Sequence, residues 1–139
     1  GEAADPEAEC VRYESEMAKY VVDVQILGIG SDGHIAFNEP GAAFDSLTHT
    51  MELTEQTRKD NARFFGGDIE QVPTLAITQG LGTIMRAKKI ILIATGANKA
   101  DAVYGMIKGP KTTECPASIL QDHPDVTVIL DEAAATKIK

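Results

Sequence analysis

The chain has 139 residues, of which 43% are hydrophobic, enough to bury one core and too few to promise two domains. Thirteen Lys and Arg against twenty-one Asp and Glu leave a formal net charge of −8, which repels phosphate backbones and anionic lipid and argues against nucleic acid as a partner. Cys10 and Cys115 stand far apart and outside any Cys-x-x-Cys pair, so neither a zinc site nor a disulfide framework is indicated; a reducing cytoplasm fits, and no apolar run nears the roughly 20 residues of a membrane-spanning helix.

The chain opens Gly-Glu-Ala-Ala-Asp-Pro, without an initiator Met or a signal sequence, and looks like the middle of a loop. Residues 5–20 set Val11, Met17 and Tyr20 among charges behind Pro6, which predicts an amphipathic, mostly exposed helix. Residues 21–27 are β-branched and apolar almost throughout, the pattern of a strand covered on both faces in a parallel sheet. After a loop with Pro40 and Gly41, residues 49–53 can pair as a short strand, and Thr54 can cap a helix running through Arg58 toward Phe64. Residues 72–79 alternate apolar with polar, and residues 81–87 form a short helix between glycines.

Residues 89–95 are a second buried-type strand that runs through Gly96 into a helix over 98–108, stopped by Gly109 and Pro110. A turn of helix at 116–120 and a third apolar strand at 126–130 close the pattern. Strands alternating with helices predict an α/β fold, a Rossmann-like, mostly parallel sheet with helices on both faces.

Gly28, Gly30 and Gly33 satisfy G-x-G-x-x-G directly after the first strand, a pattern that can mark dinucleotide binding. Pro40 and Gly41 leave too little room for the helix that this reading requires, and no suitable acidic residue closes a second strand about 20 positions on. The glycines instead give a tight turn at the carboxyl end of a parallel strand, where doubly wound sheets gather ligands.

Asp32, His34 and Glu39 crowd onto that turn, and a carboxylate beside an imidazole raises its basicity and fixes its tautomer, so the three predict a proton shuttle. The same set could hold zinc or iron, but His49 and His123 lie elsewhere and no metal is expected. Arg63, beside Phe64 and Phe65, and Lys99, at the start of the helix after residues 89–95, are the cations placed to take a small anion. Packing of the Arg63 stem with its guanidinium reaching a bidentate partner is the expected arrangement.

The run from Gly28 to Gly41, Gly-Ile-Gly-Ser-Asp-Gly-His-Ile-Ala-Phe-Asn-Glu-Pro-Gly, closely resembles the signature of glucosamine-6-phosphate deaminases, and the likeness extends over essentially the whole chain. Related sugar-phosphate lactonases share the Gly-x-Gly-x-Asp-Gly-His core, but Phe37-Asn38-Glu39-Pro40 favours the deaminase. The resemblance implies conversion of glucosamine 6-phosphate and water to fructose 6-phosphate and ammonia by ring opening, proton transfer from the second carbon and loss of the amino group. A hydrolase class, a small-molecule sugar phosphate as the binding partner, and no metal or redox cofactor are expected with it.

By the same resemblance His34 acts as acid and base in ring opening, Asp32 and Glu39 position and tune it, Arg63 and Lys99 bind phosphate, and Gly28 lets the backbone approach the sugar. Residues 1–139 correspond to the C-terminal portion of a single deaminase/isomerase domain. The N-terminal part of the fold, with a phosphate loop and the aspartate that abstracts the second-carbon proton, is expected to be missing, so the chain alone should not turn over substrate. It should associate with itself or with the missing part. The alternatives are a 6-phosphogluconolactonase-like hydrolase and a non-catalytic sugar-phosphate sensor.

Overall fold

Asp5 starts the first helix by accepting the Ala8 N–H on its carboxylate at 3.1 Å, and Pro6 takes the first helical position, where its missing N–H costs nothing. In the computed structural model, which describes residues 3–139, this helix α1 spans Pro6–Met17, is largely exposed and buries Cys10. Glu14 anchors it. One carboxylate oxygen accepts the Thr48 N–H at 3.1 Å and the hydroxyls of Thr48 and Thr83 at 2.7 and 2.9 Å, and the other meets Arg86. Burial alone would raise this carboxyl, but the four bonds outweigh it and bring it down to about 2.

Three parallel strands follow in the order β1 (Val24–Leu27), β4 (Lys89–Ala94) and β5 (Val126–Leu130), with Leu27 opposite Leu92 and Leu92 opposite Val128. Between β1 and β4 come an antiparallel pair, β2 (His49–Glu52) and β3 (Leu75–Thr78), and two short helices, α2 (Glu55–Asn61) and α3 (Leu81–Met85). Thr54 caps α2 as expected, accepting the Thr57 N–H at 3.2 Å, and the helix tightens into a 3-10 turn over Ala62–Phe65. Further 3-10 turns are Ile69–Gln71, Ala97–Lys99, which leads into α4 (Ala100–Ile107), and Pro116–Asp122 before β5.

One face of the parallel sheet makes the core. Leu27, Ile90, Leu92 and Ala94 point inward against Leu81 and Ile84 of α3, Val103 and Met106 of α4, and Ala117 and Leu120 of the 3-10 turn. His123 belongs to this frame: Nε2 bonds the Ala87 carbonyl at 2.7 Å and Nδ1 accepts the Asp125 N–H at 3.1 Å, so both ring nitrogens are occupied structurally.

The mostly parallel α/β sheet predicted from the alternation of elements is present, and the cover of its first strand is where expectation and structure part. Residues 21–23 precede β1, and Val24 and Ile26 remain 48% and 66% exposed because no described element packs on their side. Ile93 and Ile129 continue the same bare face on β4 and β5. Alternation along a strand sends successive side chains to opposite faces, so an unbroken apolar run signals a strand that needs two covers. The described residues supply one.

Candidate active site

The chain leaves the sheet at Gly28 and turns back on itself, with the Gly30 N–H donating to the His34 carbonyl at 2.9 Å and the Gly33 N–H to the Gly30 carbonyl at 3.0 Å. Two glycines have a steric reason to be there. A Cβ on Gly30 would lie 2.2 Å from Cε1 of the His34 ring, and Gly33 has φ +88° with Cys115 Sγ 2.8 Å from where its Cβ would stand. No helix begins inside the motif. Ala36 turns the chain through the left-handed region at φ 50°, Ile35 and Asn38 bridge, and the Asn38 amide holds the turn through the carbonyls of Ile35 and Gln79 at 3.0 and 2.8 Å. The dinucleotide pattern therefore fails on geometry. The 112–118 segment braces the turn from outside, since Ala117 N–H donates to Gly33 at 2.9 Å and Gly41 N–H donates to Thr113 at 2.8 Å.

The turn brings Asp32, His34 and Glu39 together. Asp32 Oδ1 lies 2.8 Å from His34 Nδ1 and also accepts the His34 backbone N–H at 3.1 Å. Burial would raise the Asp32 carboxyl, but the hydrogen bonds from the His34 ring and backbone outweigh it and hold the group below the usual carboxylate range. An ionised carboxylate only accepts, so Nδ1 carries the proton and Nε2 keeps its lone pair for a reacting group.

Glu39, 2% exposed, sits behind the ring with Oε1 3.7 Å from Nδ1, accepts the Thr57 hydroxyl at 2.6 Å, and has no hydrogen-bond partner on Oε2. Burial pushes its carboxyl up, against the pull of Thr57 and His34. The two carboxylates flanking one imidazole are thus displaced in opposite directions, the pattern of groups with different proton tasks.

Ligating atoms of the three residues lie within 4.8 Å of one another. The 2.8 Å contact between Nδ1 and Oδ1 is a shared proton, whereas two atoms on one zinc ion at about 2.0–2.1 Å each would stand more than about 3 Å apart. The arrangement suits proton transfer better than metal binding.

His34 lines a cleft of about 270 Å³ whose wall also includes Gly28, Arg63 and Lys99, so four of the six expected site residues meet at one opening, with Asp32 and Glu39 behind the imidazole. Gly28 has open space where a Cβ would project. Arg63 departs from its expected packing: it is exposed, and its guanidinium lies 4.7 Å from the centre of the Phe64 ring instead of in a bidentate ion pair. The 3-10 turn after α2 swings it outward. Lys99 is half-buried at the junction of the 3-10 turn and α4, and the nearby Gly96 N–H is already taken by the Asp131 carboxylate at 3.0 and 3.1 Å. Neither cation makes an ion pair among the described residues, and both line the cleft together with the Asp60 carboxylate.

Three residues that sequence reasoning passed over also stand here. Thr57 touches Glu39, and Asp60 and Asn61 line the cleft, Asp60 receiving the Ser31 hydroxyl at 3.2 Å. The sequence marked only Thr54 nearby, as the cap of the helix that carries all three. A larger cavity of about 390 Å³ opens between β3, α2 and the start of α1, but its lining, including Leu53, Phe65 and Val72, carries no ionisable side chain, whereas the smaller cleft is lined by His34, Asp60, Arg63 and Lys99.

Residues 1–129 match the family described as glucosamine-6-phosphate isomerases/6-phosphogluconolactonase. A glucosamine-6-phosphate deaminase of Listeria monocytogenes serotype 4a is 59% identical over 136 residues, covering 98% of this chain and 58% of that protein. One from Streptococcus thermophilus is 56% identical over 138 residues, covering 99% and 59%. Among solved structures, a monomeric glucosamine-6-phosphate deaminase superposes with a TM-score of 0.95 at 48% identity over 99% of this chain and 57% of its own. A 6-phosphogluconolactonase from Trypanosoma cruzi reaches 0.74 at 25% over 97% and 53%. The chain spans less than three-fifths of the length of the curated relatives it matches. These relatives correct the hydrolase class expected from the sequence: they are named deaminases, and the matched family is described through isomerases, which makes theirs an isomerase-type deamination.

Proposed function

Because the chain belongs to the family of glucosamine-6-phosphate isomerases and 6-phosphogluconolactonases, we propose that its cleft binds glucosamine 6-phosphate as part of a glucosamine-6-phosphate deaminase. The observation that carries this reading is the Asp32–His34 pair at 2.8 Å opening onto the same cleft as two unpaired cations. Arg63 and Lys99 take the phosphate, which fits the charge of a dianion to a cleft lined by two cations in an acidic chain. Gly28 leaves room for the sugar beside the backbone.

His34 Nε2 then removes the proton from the anomeric hydroxyl and returns one to the ring oxygen as the carbon–oxygen bond breaks, giving the open-chain aldehyde. Asp32 holds the tautomer and stabilises the imidazolium formed between the two transfers, and Glu39 sets the field behind the ring. Isomerisation next requires a base at the second carbon. We infer that this base lies in the part of the relatives' length that the chain does not span, so the 139-residue chain by itself releases no ammonia.

The bare aliphatic face and the β1 edge, which has a strand partner on one side only, are the surfaces for association. The occupant we infer is the remaining two-fifths of the relatives' length, since the superposed deaminase that carries that length is described as monomeric. Two free thiols and an acidic chain fit the cytoplasm.

Calorimetric titration of the chain with glucosamine 6-phosphate tests the reading, alongside ammonia release from a chimera in which the preceding portion of the Listeria relative is joined to residue 1. Binding by the chain with ammonia from the chimera supports it. Acid release from a lactone without ammonia favours the lactonase, and binding without any turnover in the chimera favours the sensor.

A further inference from the structure

Thr57 is 1% exposed and lies on α2, the element that runs directly into the 3-10 turn bearing Arg63. Its hydroxyl does not return to the helix backbone, the usual fate of a buried helical threonine. It donates to Glu39 Oε1 at 2.6 Å, accepts the Thr54 hydroxyl at 3.1 Å, and stands 3.4 Å from His34 Nδ1. The hydroxyl proton is thereby committed to a carboxylate eighteen residues earlier in the chain, while the Thr54 hydroxyl occupies one lone pair of the oxygen. The same helix grips the turn a second time through the Ser31 hydroxyl on Asp60.

We propose that Thr57 is a positioning residue: its hydroxyl fixes the buried Glu39 carboxylate behind the His34 ring, and locks the helix leading to Arg63 in register with the proton-transfer group. The proposal rests on the function assigned above and adds a residue to it. Glu39 Oε2 has no partner, so Thr57 supplies the one hydrogen bond that this carboxylate receives from an uncharged group. The titratable groups facing Glu39 are Asp32 and His34, both on its own turn. Without the Thr57 hydroxyl, both oxygens would be buried with no donor other than the imidazole 3.7 Å away, and the carboxyl would hold its proton to higher pH. A Glu39 kept neutral in that way would no longer place a negative charge behind the imidazolium that forms during ring opening.

A threonine that merely fills space would be replaced well by valine, which has its shape, and poorly by serine, which lacks its methyl. The proposal demands the opposite order. The experiment follows the Glu39 carboxyl carbon by ¹³C NMR against pH in the parent chain, Thr57→Val and Thr57→Ser, with kcat and KM for ammonia release measured on the same variants of the chimera. In Thr57→Val the Glu39 midpoint moves up by on the order of half a pH unit or more, and Thr57→Ser returns it to the parental value. In the chimera Thr57→Val lowers kcat about tenfold with KM within about twofold, and serine restores it. An unmoved Glu39 midpoint in Thr57→Val overturns the proposal. If Thr57→Val does not fold, a Glu39 midpoint displaced in Thr57→Ser overturns it equally, because serine keeps the hydroxyl. The NMR arm needs no turnover, so a chain that binds no sugar phosphate would sink the functional reading while leaving the Thr57–Glu39 linkage to stand or fall by itself.

Discussion

The carboxyl end of β1 and its bare face could hardly differ more. At its carboxyl end Leu27 is buried and the following turn is tied down on every side: by Asp32 and His34 within itself, by Thr57 and Asp60 from α2, and by the 112–118 segment. One residue back, Ile26 lies open with Val24, Ile93 and Ile129 around it. The Asp32–His34–Glu39 cluster is therefore assembled by contacts within this chain, whereas the sheet that supports it leaves apolar side chains exposed on one face. Local order at a site does not require that the surrounding sheet be complete.

The strongest way to break that contrast is at the turn. His34→Gln in the chimera removes the proton carrier and should lower ammonia release by about 10²–10⁴-fold while circular dichroism and the melting temperature stay close to the parent. An active variant would show that the imidazole is not in the path of the proton.

Glu14 tests how firmly α1 is held to the part of the chain that carries the turn. Glu14→Gln removes the charge bound by Arg86 and two threonine hydroxyls and should cost about 1–3 kcal/mol at neutral pH, read by urea unfolding. The folded-state carboxyl lies at about 2, below its ordinary 4.5, so it contributes stability in full above the ordinary value and loses it as pH falls from there toward about 2. The parent should thus lose its advantage over Glu14→Gln across that interval, and two parallel stability–pH curves would rule the linkage out.

The bare face gives a subtler effect. Replacing Ile26 and Ile129 with lysine should leave the Glu39 and His34 NMR signals of the turn in place and shift sedimentation of the 139-residue chain toward monomer. Exposing each aliphatic side chain rather than burying it forgoes about 1.5–3 kcal/mol, which is what an associated state would gain. Lysine variants that associate as the parent does would place the contact elsewhere.

Most of the parallel framework was legible because its signals are local. Apolar runs gave β1, β4 and β5, Thr54 announced α2, and the density of ionisable residues between Asp32 and Glu39 marked the turn. Arg63 and Lys99 gave weak local signals and gained roles from family resemblance, because a cleft joining positions 28, 63 and 99 is a product of tertiary folding. The pairing of β2 with β3 was hidden for the same reason: residues 49–53 and 72–79 each looked extended, with nothing to match one to the other. Thr57 and Glu14 escaped notice because their partners lie 18 to 72 residues away and their local pattern reads as an ordinary cap or an exposed helix.

The absent side chain at Gly30 gives the imidazole a seat. The His34 ring occupies the volume where any other residue would put its first carbon, so the ring lies against the main chain in a pose that a methyl group would abolish. A homologue bearing alanine or anything larger at this place must hold its imidazole differently. For such a chain the triplet Asp-Gly-His, however well it aligns, would be a poor guide to where the proton goes.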